Sequence, residues 1–400
     1  MDKTEHRLLT RLGRLIVALA LAGIVAPIGS PAASHGPTDP TVRPAAAARE
    51  SGWSPRGGYS PGQIRHAYGV DRLSGDGAGE LIGIVTADDS PAIPGNVQTF
   101  IESYHLPRLN GLPGTPACTV RDGPHPCFQR IDSQGPPAYD ERWVTETCLN
   151  LDWAHVIAPG ADLLVVESPR DDAFDMLGAV DLAVRRGARV VAMSWGAQEF
   201  SAETLYDDHF QRAGVAFVAA TGDLGIVNWP AASPYVISVG GSTLRLDRGG
   251  NVMSDRPWIG AVRGYSAYEP EPSYQVNAEI PDPERMRAVP DVAYSANPEA
   301  GFPVYNPASS FAEAGWLELG GTSVGVPQWA GLIALADQGR PGHPLTTAQL
   351  DTSPIYGAAS GPLHWTNFRP VGADRATFDL ATGLGAPRAN QLVPALARLR

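Results

Sequence analysis

Two kinds of apolar run alternate along the chain. Short, nearly continuous ones cover residues 81–85, 163–167, 189–194, 215–220 and 235–239. Between them lie longer segments, 97–104, 141–157, 173–186 and 202–213, in which apolar residues recur three and four positions apart. The first kind predicts strands buried on both faces and the second predicts helices. Fully apolar strands separated by helices of about a dozen residues predict an α/β fold, a mostly parallel sheet covered by helices on both faces. Ligands in such sheets bind beyond the carboxyl ends of the strands. Residues 35–58 lack periodicity and are rich in Pro, Ala, Gly and Ser, which predicts a disordered linker. From Tyr59 to Arg400 no break or repeat divides the chain, so a single domain is expected there.

A later stretch carries the first candidate chemistry. The alternating run Trp316-Leu-Glu-Leu319 meets Gly320 and Gly321, then Thr322 and Ser323, and an apolar helical segment follows with Pro327 near its start. Ser323 is thereby placed at a helix N-terminus, where unpaired N–H groups favour a developing anion, and Gly320 and Gly321 let a substrate backbone come close. The residues allow two readings, a nucleophilic serine or a Ser/Thr helix cap. The spacing Gly321-Thr-Ser-Val-Gly325 also fits the strand-to-helix elbow of α/β-hydrolases.

A serine nucleophile needs a base. Of the nine histidines only His343 and His364 lie downstream, as the hydrolase order requires, and no His-Gly-Gly-Gly oxyanion segment precedes them. The segment 141–157 offers a carboxylate instead: Glu146 and Asn150 lie one helical turn apart on one face. The run Glu146-Thr-Cys-Leu-Asn-Leu-Asp-Trp-Ala-His-Val-Ile-Ala-Pro-Gly-Ala161 resembles the catalytic helix of the sedolisins, serine-carboxyl peptidases with a subtilisin-like fold. Further matches follow in the family's order: Tyr59-Ser-Pro-Gly-Gln-Ile-Arg-His-Ala-Tyr68, Val191-Ala-Met-Ser-Trp-Gly196, Thr221-Gly-Asp-Leu-Gly225, Pro290-Asp-Val-Ala293 and Gly321-Thr-Ser-Val-Gly-Val-Pro327. The resemblance implies a three-layer subtilisin-like fold and a peptide or protein substrate. It implies Ser323 as nucleophile, Glu146 as general base and Asp223 as the acid that stabilises the oxyanion, with Ser194, Trp195, Gly196 and Gly321 lining the substrate cleft. A glutamate suits the base role in an acidic medium, and a protonated aspartic acid donates to a tetrahedral oxyanion.

This chain departs from the pattern in three places. The second helical carboxylate of the family falls on Asn150, whose amide can orient ionised Glu146 but cannot share a proton, so a weaker base is expected. Asp152, six positions from Glu146, points well round the helix. In the calcium segment only Asp379 carries over: Thr377 and Arg375 replace glycines and the Asp-Ile pair is absent. A hard cation wants six to eight oxygens, so the calcium site reads as degraded, and Arg375 would supply positive charge in its place. The long propeptide of the family is also expected to be missing. Two functions are compatible with these residues: a secreted endopeptidase acting at acidic pH, and a catalytically impaired relative that binds peptides.

Bulk properties narrow the setting. The 400 residues, 43% hydrophobic, are ample for one large core, and a formal charge of −12 argues against nucleic acid as a partner. Lys3, Arg7, Arg11 and Arg14 precede an apolar run, 15–28, and the small residues Ala32-Ala33-Ser34, which predicts a secretory signal over residues 1–34 and no stable membrane insertion. Cys118 and Cys127 flank a turn-rich loop that can close as a disulfide in an oxidising compartment, a pairing the sequence leaves open, and Cys148 reads as a buried small hydrophobe in the 141–157 helix. A monomer is expected.

Overall fold

The computed structural model describes residues 40–45, 47–48, 58–88, 90–135, 137–280, 284–310, 312–348, 353–372 and 377–399. The chain forms two compact units, Met1–Thr38 and Asp39–Arg400. The first, with the expected secretory signal, lies outside the described residues, as does Arg375.

The second unit is built on an eight-stranded sheet. In chain order its strands are β1 (Leu81–Ala87), β2 (Phe128–Asp132), β3 (Asp162–Ser168), β4 (Val190–Met193), β5 (Ala216–Ala220), β6 (Ile237–Leu246), β7 (Val252–Pro257) and β8 (Val292–Ser295). They lie in the order β7-β6-β5-β4-β1-β3-β2, with β8 also paired to β6. All pairings are parallel except β6 with β7. Six helices of eight residues or more accompany the sheet among the described residues: α1 (Pro61–Tyr68), α2 (Ile93–Ser103), α3 (Glu141–Ile157), α4 (Ala173–Arg185), α5 (Gly325–Asp337) and α6 (Ala389–Ala397).

The nearly unbroken apolar runs have a simple cause: successive side chains enter opposite cores. Ile82, Ile84, Leu163, Val165, Val190, Ala192 and Val218 face the core that also holds residues of α2, α3 and α5. Leu81, Val85, Leu164, Val166, Val191, Met193 and Phe217 face a second core filled from α4 and by Trp195 and Trp229. The expected three-layer architecture is therefore observed. One predicted helix is not: residues 202–213 give only a 3₁₀ stretch, Glu203–His209. Glu203 is fully buried and its carboxylate accepts from the Phe200 N–H at 2.9 Å, so the segment is tied down tightly rather than extended as an α-helix.

Helix α5 crosses α3 at close range. A Cβ on Gly331 would lie 2.7 Å from Ile157 Cγ2, so only glycine permits this approach. Cys118 and Cys127 form a disulfide, and Cys148 is buried with Asn96 Nδ2 donating to its sulfur at 3.8 Å. The Pro290-Asp-Val-Ala293 segment serves packing: Asp291 takes a two-pronged ion pair from buried Arg287, at 2.8 and 3.0 Å, and further bonds from Ser238 and Tyr356.

Several carboxyls are buried where desolvation outweighs any nearby cation. Both oxygens of Asp152 and one each of Glu203, Glu269 and Asp337 have no hydrogen-bond partner among the described residues. Burial raises Asp337 from 3.8 to about 7, Glu269 from 4.5 to about 8 and Glu203 from 4.5 to about 9, and holds Asp152 well above its ordinary value. At low pH folded and unfolded chains both carry these protons. As pH rises the unfolded chain releases them first, so each raised value costs stability between its ordinary and its folded value. The folded unit is expected to melt higher near pH 4.5 than near pH 8.5. Asp337→Asn, which keeps the oxygen bonded by the Leu345 N–H, is expected to shrink the difference. Melting temperatures that rise across this range would contradict the assignment.

Candidate active site

Ser323 sits on a short 3₁₀ turn, Thr322–Val324, between the strand Trp316–Gly320 and α5. The turn starts at Gly321, whose φ of 100° is the left-handed conformation that glycine adopts without cost. Gly320 answers to packing: a Cβ there would meet Pro298 N at 2.5 Å. Neither hydroxyl caps a helix, so the capping reading is excluded. Ser323 Oγ donates instead to the Ser194 carbonyl at 3.2 Å. That carbonyl lies just beyond the end of β4, which stops at Met193, one residue short of the predicted strand end.

Glu146 and Asn150 project from α3, which packs against the Ser323 turn. Both are nearly inaccessible, at 2% exposure, on a helix whose residues from Trp143 onward are all buried. Asn150 Nδ2 donates at 2.8 Å to Glu146 Oε1 and to the Glu146 backbone carbonyl, so the amide orients the carboxylate as anticipated. Its Oδ1 accepts from Ser194 Oγ at 2.7 Å, and the same hydroxyl lies 3.3 Å from the Ser323 carbonyl. Ser194 is thus the link between the carboxylate helix and the serine turn. This hydroxyl's role is not visible in the sequence, because a serine after a buried strand reads only as part of the cleft wall.

Asp223 follows β5 through Thr221 and Gly222. A Cβ on Gly222 would lie 2.1 Å from Asn228 Nδ2, and its φ of 97° is again positive, so the turn that delivers Asp223 depends on glycine. Asp223 Oδ1 accepts from Thr322 N at 2.8 Å and from Thr322 Oγ1 at 2.9 Å. Its Oδ2 is buried with no hydrogen-bond partner among the described residues. Burial raises the group from 3.8 to about 7. At acidic pH it is a neutral acid whose hydroxyl is free to donate, joined to the residue next to Ser323. Thr322, read from sequence only as an alternative cap, is what holds it.

Other expected residues fall elsewhere. Trp195 does not offer its ring to a cleft: it is fully buried, and its indole N–H donates to the Val85 carbonyl at 3.0 Å. Its backbone, with that of Gly196, is the part that pairs with another segment. Gly196 tolerates no side chain, since a Cβ would lie 2.9 Å from the Trp229 carbonyl. Neither downstream histidine replaces Glu146. His364 is buried against Trp365 and Phe368, and His343 follows the far end of α5, about 20 Å of helix from its start. Asp152 is fully buried and makes no hydrogen bond to Glu146.

For calcium, Asp379 is the carried-over carboxylate, and its Oδ1 already accepts from Ala381 N and Thr382 Oγ1 at 2.9 and 3.2 Å. Among the described residues no group of three His, Cys, Asp or Glu is placed to hold a metal ion. Among the described residues of the expected calcium segment Asp379 supplies the one carboxylate, short of the six to eight oxygens a hard cation takes.

Comparison with known proteins agrees with this geometry. The subtilase family profile matches residues 145–366. Kumamolisin from Bacillus sp. (strain MN-32) is 32% identical over 286 residues, covering 63% of this chain and 50% of that protein. Sedolisin from Pseudomonas sp. (strain 101) is 31% identical over 147 residues, 30% of this chain and 24% of its own. The chain thus spans about half the length of kumamolisin and less of sedolisin. The solved structure of Pseudomonas sedolisin, complexed with two molecules of pseudo-iodotyrostatin, superposes with a TM-score of 0.69 over 85% of this chain and 98% of that one. Its identity is 22%, so it speaks for the fold. The profile match and these relatives together show that the chain belongs to the subtilase family, on its sedolisin side.

Proposed function

We propose that this protein is an exported serine endopeptidase that hydrolyses peptide bonds in acidic surroundings. One observation carries the reading: residues 146, 150, 194, 223 and 322–323, from four separate parts of the chain, are linked by hydrogen bonds that converge on the turn bearing Ser323. Ser323 Oγ attacks the substrate carbonyl, and its proton passes to Glu146, which Asn150 holds in place. The tetrahedral oxyanion takes a hydrogen bond from protonated Asp223. The amine leaves with the proton returned by Glu146, and water then releases the acyl group from Ser323.

The raised Asp223 supports acidic operation. Below about 7 it carries the proton it donates; above, it becomes an anion beside the developing oxyanion. Export is supported by the pattern of residues 1–34 and by the Cys118–Cys127 disulfide. No helix among the described residues is long and apolar enough to cross a membrane. The second reading, a peptide binder with impaired chemistry, is favoured by Asn150, since an amide cannot share the proton that Glu146 takes up, and by the degraded calcium segment.

Digestion of a denatured protein from about pH 3 to about pH 8 separates the two. Wild type is expected to digest it and Ser323→Ala to lose at least about a thousandfold in kcat. Asn150→Asp is expected to raise the rate by about tenfold, by supplying a second carboxyl. Digestion only by Asn150→Asp would establish the impaired reading, and digestion unaffected by Ser323→Ala would end the first.

The pH–rate profile tests Asp223. Wild-type activity is expected to fall as pH rises through about 7. Asp223→Asn keeps an N–H donor without a titrating proton and should move that fall to higher pH, whereas Asp223→Ala should cost about 10² to 10³ in kcat. An unchanged alkaline limb in Asp223→Asn would contradict the role.

A further inference from the structure

Apart from the Ser323 site, a pocket of about 200 Å³ opens where four parts of the chain meet: the end of α1, the turn before β7, the strand Phe368–Arg369 and the start of α6. Its polar wall is cationic. His66, Arg72, Asn251, Arg369, Arg388 and Asn390 line it, and no carboxylate does. In a chain of net charge −12 that is a local reversal of sign. Gly69, with φ at 80°, lets the end of α1 approach α6 here: a Cβ on it would lie 2.6 Å from Asn390 Oδ1.

The charges around the pocket do not balance. Arg369 is fixed firmly: Nη2 donates to Asp255 Oδ2 at 2.8 Å, Nη1 to the Ala67 carbonyl at 3.2 Å, and the guanidinium lies 5.3 Å over the Tyr68 ring. Its Nε is buried with no hydrogen-bond partner among the described residues. Arg388 donates from Nε to the Phe368 carbonyl at 3.2 Å. Burial and the Arg369 guanidinium hold Arg388 below its ordinary value, with no carboxylate acting against them. Asp71 is already taken by His66, Nδ1 to Oδ2 at 2.7 Å, and lies 3.9 Å from Arg72 Nε. The other His66 nitrogen faces Asn251 Oδ1 at 3.3 Å, and the bonds to Asp71 and Asn251 favour the protonated ring. Asp247 accepts from Asn251 Nδ2 at 2.9 Å and does not line the pocket. Asp71 and Asp255 thus stand against three guanidiniums and a histidine biased toward its charged form.

We propose that this pocket binds one doubly charged oxyanion, a sulfate or phosphate group, held by Arg388, Arg369 and Arg72. The forked donors of a guanidinium match pairs of oxygens on a tetrahedral anion, and a double charge meets the surplus. The volume lies below the roughly 300 to 1,000 Å³ of sites for drug-sized ligands, so the pocket takes the charged group and little else. The bound anion joins α1 to α6, the first and last of the longer helices, and stabilises the folded chain by mass action. The inference is independent of the peptidase reading, since none of these residues belongs to the Ser323 site.

Calorimetric titration of the full chain with sodium sulfate at constant ionic strength tests this, because sulfate stays doubly charged in acid and at neutral pH. Wild type is expected to bind one sulfate per chain with saturation, and Arg388→Gln to bind it at least about tenfold more weakly. Arg72→Gln, a change at an exposed side chain, is expected to weaken binding about threefold or more. Arg186→Gln, outside the pocket at the end of α4, is expected to leave it unchanged. Sulfate is also expected to raise the melting temperature more in wild type than in Arg388→Gln, the rise common to both being the general effect of an excluded salt. Displacement of sulfate by glycerol phosphate as well as by inorganic phosphate assigns the group to the end of a larger molecule, and displacement by inorganic phosphate alone assigns the free ion. Titration without saturation, or equal binding by wild type and Arg388→Gln, means an adventitious ion only and overturns the proposal. Nitrate bound as tightly as sulfate overturns the double charge.

Discussion

The site depends on how closely two buried helices cross. Helix α3 carries Glu146 and Asn150, α5 begins two residues after Ser323, and Gly331 lets them meet with no side chain between it and Ile157. Both helices lie on one face of a sheet whose strands are apolar on both sides, so neither can shift without opening a core. Packing sets the helix of Glu146 against the turn of Ser323, 177 positions away in sequence, and the hydrogen bonds of Asn150 and Ser194 link the two.

Burial around the site also decides its acid–base character. Asp223 is hemmed in by Thr322 and given no cation, so it keeps its proton to about 7. The same treatment of Asp152, Glu203, Glu269 and Asp337 away from the site means that the medium suited to the proposed chemistry also suits the fold. Activity and stability would then respond to pH in the same direction and for the same reason, the desolvation of carboxyls.

Much of this was legible in the chain. The central strands stood out because parallel strands covered on both faces leave no polar positions, and Ser323, Glu146 and Asp223 stood out because their surroundings follow a known order. The parts that were not legible share a cause: they depend on backbone pairing or on where a side chain turns. Residues 43–44 and 47–48 read as structureless because an Arg-Pro-Ala-Ala-Ala-Ala stretch has no amphipathic pattern, while their order comes from antiparallel main-chain pairing with Trp195–Gly196 and with Leu319–Gly320. Trp195 read as cleft wall, but alternation in its strand sends the ring into the core. Thr322 looked like a cap, and its partner proved to be a carboxyl 99 positions away.

In the proposed chemistry a carboxylate, and no imidazole, serves the Ser323 hydroxyl while Asp223 receives the oxyanion. It is tested most directly by a crystal structure of the protein after reaction with a peptide aldehyde, whose tetrahedral adduct mimics the transition state. The expected adduct has Ser323 Oγ bonded to the aldehyde carbon, its oxygen within hydrogen-bond distance of Asp223 Oδ2, and Glu146 facing Ser323 Oγ directly or through one water. An unmodified Ser323, an adduct oxygen turned away from Asp223, or a histidine in the place given to Glu146 would contradict it.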